Sequence, residues 1–228
     1  YFRDVTMPAP RATPAPSPSP TFTALLFGLS GCLVDFGARA RAVSARNALD
    51  AQPQDIQFEM SEQARVTPGA LDILQTLSRQ GVPCVWLDDL PSTVSQRLAA
   101  PLLEWVQPAD HATPSCAAWP APDACWQALM ALKVKQLDGC VLVSGEPRLL
   151  QSGLNAGLWT VGLASCGPLC GLSPSEWRAL NSTEREYRRG QATLQLYGLG
   201  VHSVIDHLGE LASCLADISL RRTKGEKP

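Results

Sequence analysis

Short apolar runs, separated by stretches with helical period, leave this chain few folds to adopt. The runs are Thr23 to Phe27, Val82 to Leu87, Cys140 to Ser144, Leu158 to Leu163 and, more weakly, His202 to Ile205. Each is too short for a helix, and apolar runs of this length between turn residues read as strands buried on both faces. Between them, Pro68 to Arg79 repeats apolar residues every three or four positions and stops at Gly81. Asp123 to Gln136, Pro147 to Ala156, Thr183 to Tyr197 and Leu208 to Ser219 have the same period. Ser173-Pro-Ser-Glu176 is a capping-box pattern with Pro174 at the first helical position. Strands alternating with helices predict an α/β fold, a parallel sheet covered on both faces. Ligands of such sheets sit beyond the carboxyl ends of the strands, near the point where strand order reverses. Function is therefore expected just after Phe27, Leu87 and Ser144.

The chain has 228 residues, 45% of them hydrophobic and 18% charged, which predicts one domain with a packed core. A net charge of −2 gives neither nucleic acid nor an anionic membrane surface a basic patch to bind. No apolar stretch reaches the roughly 18 residues of a membrane-spanning helix. Residues 1–22 are dominated by Pro, Ala and Ser and contain no apolar segment of a secretory signal. They read as a disordered or polyproline-like tail, and the expected compartment is the cytoplasm. Residues 23–228 form the expected core domain. Eight cysteines are present, at 32, 84, 116, 125, 140, 166, 170 and 214, and are expected to be reduced thiols. Cys166 and Cys170 have no second pair at the spacing of a tetrahedral zinc site. The loop Gly28-Leu-Ser-Gly31 is neither a dinucleotide fingerprint nor a phosphate-binding loop with Gly-Lys-Ser/Thr, and no Gly-x-Ser-x-Gly elbow exists. His202 and His207 fall near the last strand, where structural roles are expected.

Four segments of the last third resemble one family in order and spacing. They are Ser152 to Gly162, Gly171 to Trp177, Gly200 to Asp206 and Arg222 to Pro228. They are similar to the family segments AGLNAGMWTVG, GLSEEEW, AGAHYVID and RLARGERP of the phosphonoacetaldehyde hydrolases, a branch of the haloacid dehalogenase superfamily. Leu26 to Gly37, Thr67 to Leu74 and Trp119 to Pro122 match the family's earlier segments more weakly. The resemblance implies a three-layer, Rossmann-like parallel sheet and cleavage of a carbon–phosphorus bond to acetaldehyde and phosphate. It also implies that residues 38–66, where the family carries a full helical cap, are a strongly reduced one.

The residues that this chemistry needs are missing. The family's nucleophilic Asp, which forms an aspartyl-phosphate, aligns with Gly28. The Mg²⁺ of the family offsets phosphate charge, and two of its acidic positions align with Gly145 and Leu149; Glu146 is offset by one residue. The phosphate-binding Ser/Thr aligns with Trp86 or Leu87, and the phosphate-binding Arg with Trp119, whose single N–H cannot replace a guanidinium fork. The Schiff-base Lys has no counterpart, because residues 38–66 contain no lysine. Removing one nucleophile alone can lower a rate about a millionfold. The expected protein is thus a catalytically inactive relative, a pseudoenzyme without Mg²⁺, acting by binding or assembly. The alternatives are an active phosphonoacetaldehyde hydrolase with rearranged residues and a weak Mg²⁺-dependent phosphatase.

Two constellations are candidate sites. Asp88, Asp89 and Glu146, with Asp35 in the first loop, form an expected acidic cluster at the sheet's carboxyl edge that could bind a ligand or a relocated metal; carboxylates there also cap helices and turns. Trp86, Leu87, Trp119 and Leu149 are expected to leave an apolar cleft mouth. That patch would be covered by a second subunit, an active paralogue, the tail or residues 38–64.

Overall fold

The computed structural model describes residues 22–40, 42, 62–109 and 117–228. Nearly all of the Pro-rich tail, most of the 38–66 insertion and Cys116 lie outside these residues. Six strands form one sheet: β1 (Ala24–Gly28), β2 (Cys84–Leu87), β3 (Gln107–Pro108), β4 (Cys140–Ser144), β5 (Trp159–Leu163) and β6 (Ser203–Ile205). Their order is β3-β2-β1-β4-β5-β6, and every pairing is parallel. Strand order reverses at β1, between β2 on one side and β4 on the other. Phe27 lies level with both Trp86 and Val143, so Gly28, Leu87 and Ser144 end neighbouring strands at one height.

Among the described residues, the helices with defined bounds are α1 (Ala70–Arg79), α2 (Ser92–Ala99), α3 (Asp123–Ala131), α4 (Pro147–Asn155), α5 (Pro174–Ala179) and α6 (Ser182–Gly198), which lie between strands, and α7 (Leu211–Thr223), which follows β6. The strands are apolar throughout because both faces are covered. Leu25, Phe27, Val141 and Val143 face α1, α2 and α7, where Leu74, Leu77, Leu98, Leu211 and Ile218 are buried. The alternate residues Ala24, Leu26, Cys140 and Leu142 face α3 and α4, meeting Cys125, Ala128, Leu129 and Leu149. Each fully buried Leu or Phe stabilises the fold by about 1.5–3 kcal/mol relative to exposure. Alternation along each strand therefore holds both outer layers. α6 buries only Ala192 and Leu196 along 17 residues.

Local sequence explains the ends. Ser173 accepts from the Glu176 N–H and Glu176 accepts from the Ser173 N–H, the capping box that the sequence predicts. Three elements differ from expectation: β3 falls in none of the predicted runs, and α2 and α3 also depart. α2 has no strong apolar period and lies between Pro91 and Pro101, and it forms because Leu98 and Ala99 pack under the sheet. α3 stops at Ala131 rather than Gln136, because Lys133 adopts a positive φ of 55° and Val134 N–H turns back to the Leu129 carbonyl.

The four apolar residues expected at the cleft mouth are buried. Trp86, Leu87, Trp119 and Leu149 are 3%, 0%, 7% and 0% exposed. Leu87, Trp119 and Leu149 pack into the α3–α4 layer and Trp86 into the opposite one. The chain itself covers them.

Candidate functional site

The strand-end crevice lies where strand order reverses, between the loops after β1, β2 and β4. It is a hollow of about 120 Å³ whose lining includes Gly28, Ser30, Asp88, Asp89, Trp119 and Glu146. The structure thus brings Asp88, Asp89 and Glu146 to one wall. It separates them from Asp35, which lies instead against the base of the insertion. Asp35 is 3% exposed and accepts from Ser30 Oγ at 2.6 Å, Arg39 N–H at 3.0 Å and Ala40 N–H at 2.8 Å. A carboxylate used by three donors in this way pins its loop.

Glu146 and Asp89 also have structural partners. Glu146 is the N-cap of α4 and accepts from the Arg148 N–H at 3.1 Å. Arg148 reaches across the mouth: one guanidinium nitrogen donates to the Trp119 carbonyl at 2.5 Å and another lies 3.8 Å from Asp89. Sequence reasoning missed Arg148.

The floor of the crevice is filled. A Cβ placed on Gly28 would lie 2.5 Å from Ser144 Oγ and 3.2 Å from Ser144 Cβ. Ser144 Oγ is fixed there by the Glu146 N–H, which donates to it at 3.0 Å. A Cβ on Gly145 would meet the Cys166 carbonyl at 2.9 Å and Gly167 Cα at 3.0 Å, with the Gly31 carbonyl nearer still. Gly31 and Gly167, at φ 71° and 88°, approach each other so closely that a Cβ on Gly31 would sit 2.7 Å from Gly167 Cα. Only glycine combines that conformation with that approach. Gly167 N–H donates to the Phe36 carbonyl at 2.7 Å, and Gly31 N–H donates to the Val34 and Asp35 carbonyls, both at 2.9 Å. The loops after β1, β4 and β5 are therefore packed backbone against backbone. The N–H of Gly31, which could otherwise hold an anion, is already used.

Buried thiols border this closure. Burial pushes the Cys32 thiol well above its ordinary range, with Cys166 adding to the effect and a Gly28 backbone hydrogen bond opposing it. Burial, then Cys170 and Asp206, push Cys166 up to about 12. Neither sulfur is a thiolate nucleophile near neutral pH. His202 has a structural role: its Nδ1 lies 3.0 Å from the Thr160 N–H and its ring 4.9 Å from Trp159.

The residues do not fit the Mg²⁺ that the resemblance implies. Of the two expected ligand positions, 145 is a glycine with no room for a side chain and 149 is a buried leucine. Among the described residues, no three His, Cys, Asp or Glu side chains converge on a common point where a cation could sit. Nor, among them, is any helix long and apolar enough to cross a membrane.

A scan against protein-family models finds no match. The chain is 32% identical to the phosphonoacetaldehyde hydrolase of Salmonella enteritidis over 164 residues, 70% of this chain and 61% of that one. It thus spans about three fifths of the length of such curated relatives. A crystal structure of a chain 65% identical to this one superposes with a TM-score of 0.81, covering 91% of this chain and 100% of that one. A phosphonoacetaldehyde hydrolase-like protein from Oleispira antarctica, 21% identical, superposes with a TM-score of 0.79, covering 92% of this chain and 97% of that one, and shares the fold.

Proposed function

We propose that this chain, which belongs to the phosphonoacetaldehyde-hydrolase-like branch of the haloacid dehalogenase superfamily, is a non-catalytic member of that branch that acts by binding or assembly. The supporting observation is the filled floor of the crevice. The position that aligns with the nucleophile is Gly28, and the space a side chain would need there holds the Ser144 hydroxyl. The position that aligns with a metal-binding Asp is Gly145, enclosed by backbone. A covalent mechanism needs a group that can bond to phosphorus, and a glycine supplies none. Among the described residues, the crevice walls bring Asp88, Asp89 and Glu146 together, with the Arg148 guanidinium 3.8 Å from Asp89.

The grouping of Asp88, Asp89 and Glu146 on one wall supports a second reading, a weak Mg²⁺-dependent phosphatase. One experiment separates the two. Purified protein is incubated with Mg²⁺ and either phosphonoacetaldehyde or p-nitrophenyl phosphate, and released phosphate or nitrophenol is followed. The non-catalytic reading expects no release above a protein-free control from either. Release from the phosphate ester that is lost in Asp88→Asn would establish the second reading. Steady release from phosphonoacetaldehyde would establish an active hydrolase.

A further inference from the structure

The edge of the sheet opposite the crevice carries an apolar furrow of about 390 Å³, formed by the second half of α3 and the turn that leads into β4. Its lining includes Trp126, Met130, Val134 and Leu137, with Leu129 buried beneath them. Trp126, Met130 and Leu137 are 47%, 68% and 45% exposed. Three large apolar side chains exposed together on one small surface mark a contact face. The Trp126 ring is oriented by the fold, since its N–H donates to the Ala156 carbonyl at 3.4 Å, just after α4.

The chain enters the structure beside this furrow. Thr23 N–H donates to the Gly139 carbonyl at 2.9 Å, and the Thr23 hydroxyl donates to the Asp138 carbonyl at 2.5 Å. Residues 1–21, which lie outside the described residues, therefore join the fold next to Leu137. Their composition suits an apolar, aromatic surface. Pro14, Pro16, Pro18 and Pro20 alternate with Ala15, Ser17 and Ser19, and no charge falls between Pro14 and Phe22. Proline fixes φ, so such a segment favours polyproline II and loses little entropy when held. Exposed aromatic side chains are the surfaces on which that helix packs. Tethering favours this segment over a second copy as the occupant. A short linker holds it at an effective concentration of about 1 mM, well above that of a second copy in dilute solution.

We propose that residues 14–20 dock on the furrow of Trp126, Met130 and Leu137 in the same molecule, as a polyproline II segment that covers it. This goes beyond the non-catalytic reading and does not rest on it, because the furrow lies at the edge of the sheet away from the crevice.

The full 15N-labelled chain is compared with Met130→Asp, at an exposed position, and with the triple variant Pro14→Gly/Pro16→Gly/Pro18→Gly. Trp126→Phe assigns the Trp126 indole resonance. The amides of Ala15, Ser17 and Ser19 are expected away from random-coil positions in the unmodified chain and at them in Met130→Asp. The triple variant is expected to shift the Trp126 indole N–H, and neither effect should change on dilution. A peptide of residues 13–21 should shift the Trp126 resonance of the triple variant saturably. For a peptide Kd of about 0.1 mM, competition from the tethered segment should make it bind the unmodified chain about tenfold more weakly. The triple variant leaves every described residue in place, so it separates docking from any folding defect of Met130→Asp. Random-coil positions for the three amides in the unmodified chain, a Trp126 resonance that ignores the glycine substitutions, or equal peptide affinity for both chains would overturn the proposal. A Trp126 shift that grows with protein concentration would give the furrow to a second copy and overturn it as well.

Discussion

Two hollows share the carboxyl edge of this sheet and are built in opposite ways. The one at the strand-order reversal is about 120 Å³ and is closed below by Ser144 and by the Gly31–Gly145–Gly167 contact. The one beside α2 is about 770 Å³, apolar and open. The first lies where the fold normally works, and the second lies where the family resemblance has nothing to say. The difference shows that one sheet edge can close one hollow by backbone packing and leave its neighbour open; on the proposed reading, single Cβ positions separate fold from function.

The largest expected effect tests the closed side of that contrast. Gly145→Ala drives a methyl into the Gly31 and Cys166 carbonyls, and overpacking against backbone costs about 3 kcal/mol or more. Gly190→Ala, in α6 with nothing within 4 Å of the added carbon, is expected to stabilise by about 0.5–1 kcal/mol. Urea denaturation of both reads the difference, and an unchanged midpoint for Gly145→Ala would break the account of a filled floor. A smaller effect is expected at Gly28. Gly28→Ala displaces the Ser144 hydroxyl from its Glu146 partner and is expected to cost about 1–2 kcal/mol. Most of this should be recovered in Gly28→Ala/Ser144→Gly. Simple additivity of the two changes would mean that the residues do not compete for the same space.

Alkaline pH sharpens the same comparison. The folded-state pKa of Cys166 is raised from 9.0 to about 12, so its contribution to stability is fully present below 9.0 and is lost as pH rises toward 12. Native protein should lose stability across that window, and iodoacetamide should label Cys166 far more slowly than in urea. Fast labelling of the native protein near neutral pH would mean the floor is open. The smallest effect belongs to the open side: Leu103→Ala, at a residue 48% exposed on the wall of the larger hollow, is expected to change stability by less than about 0.5 kcal/mol.

The sequence made the layered fold legible because buried parallel strands must be apolar throughout, as in Cys140–Ser144, which matches its strand to the residue. It revealed the empty position at Gly28 in the same way, since a missing carboxylate needs no coordinates. It hid α2, whose residues lack an amphipathic period, and it hid the burial of Trp86 and Trp119, because a Trp in place of a phosphate ligand reads equally well as surface or core. It also hid the closure itself. Gly31, Gly145 and Gly167 are ordinary loop glycines until the topology brings them into contact, and no local pattern encodes a meeting of residues more than a hundred positions apart. A Gly after each of three successive strand ends was the one available signal of close backbone approach.

The account stands on the claim that the end of β1 offers no place for a phosphorus-centred group. Titrating 15N-labelled protein with inorganic phosphate in the presence of Mg²⁺, and following the amide resonances of Ser30, Gly31 and Gly145, tests it directly. The account predicts resonances that do not move saturably. A saturable shift centred on those three amides would contradict it.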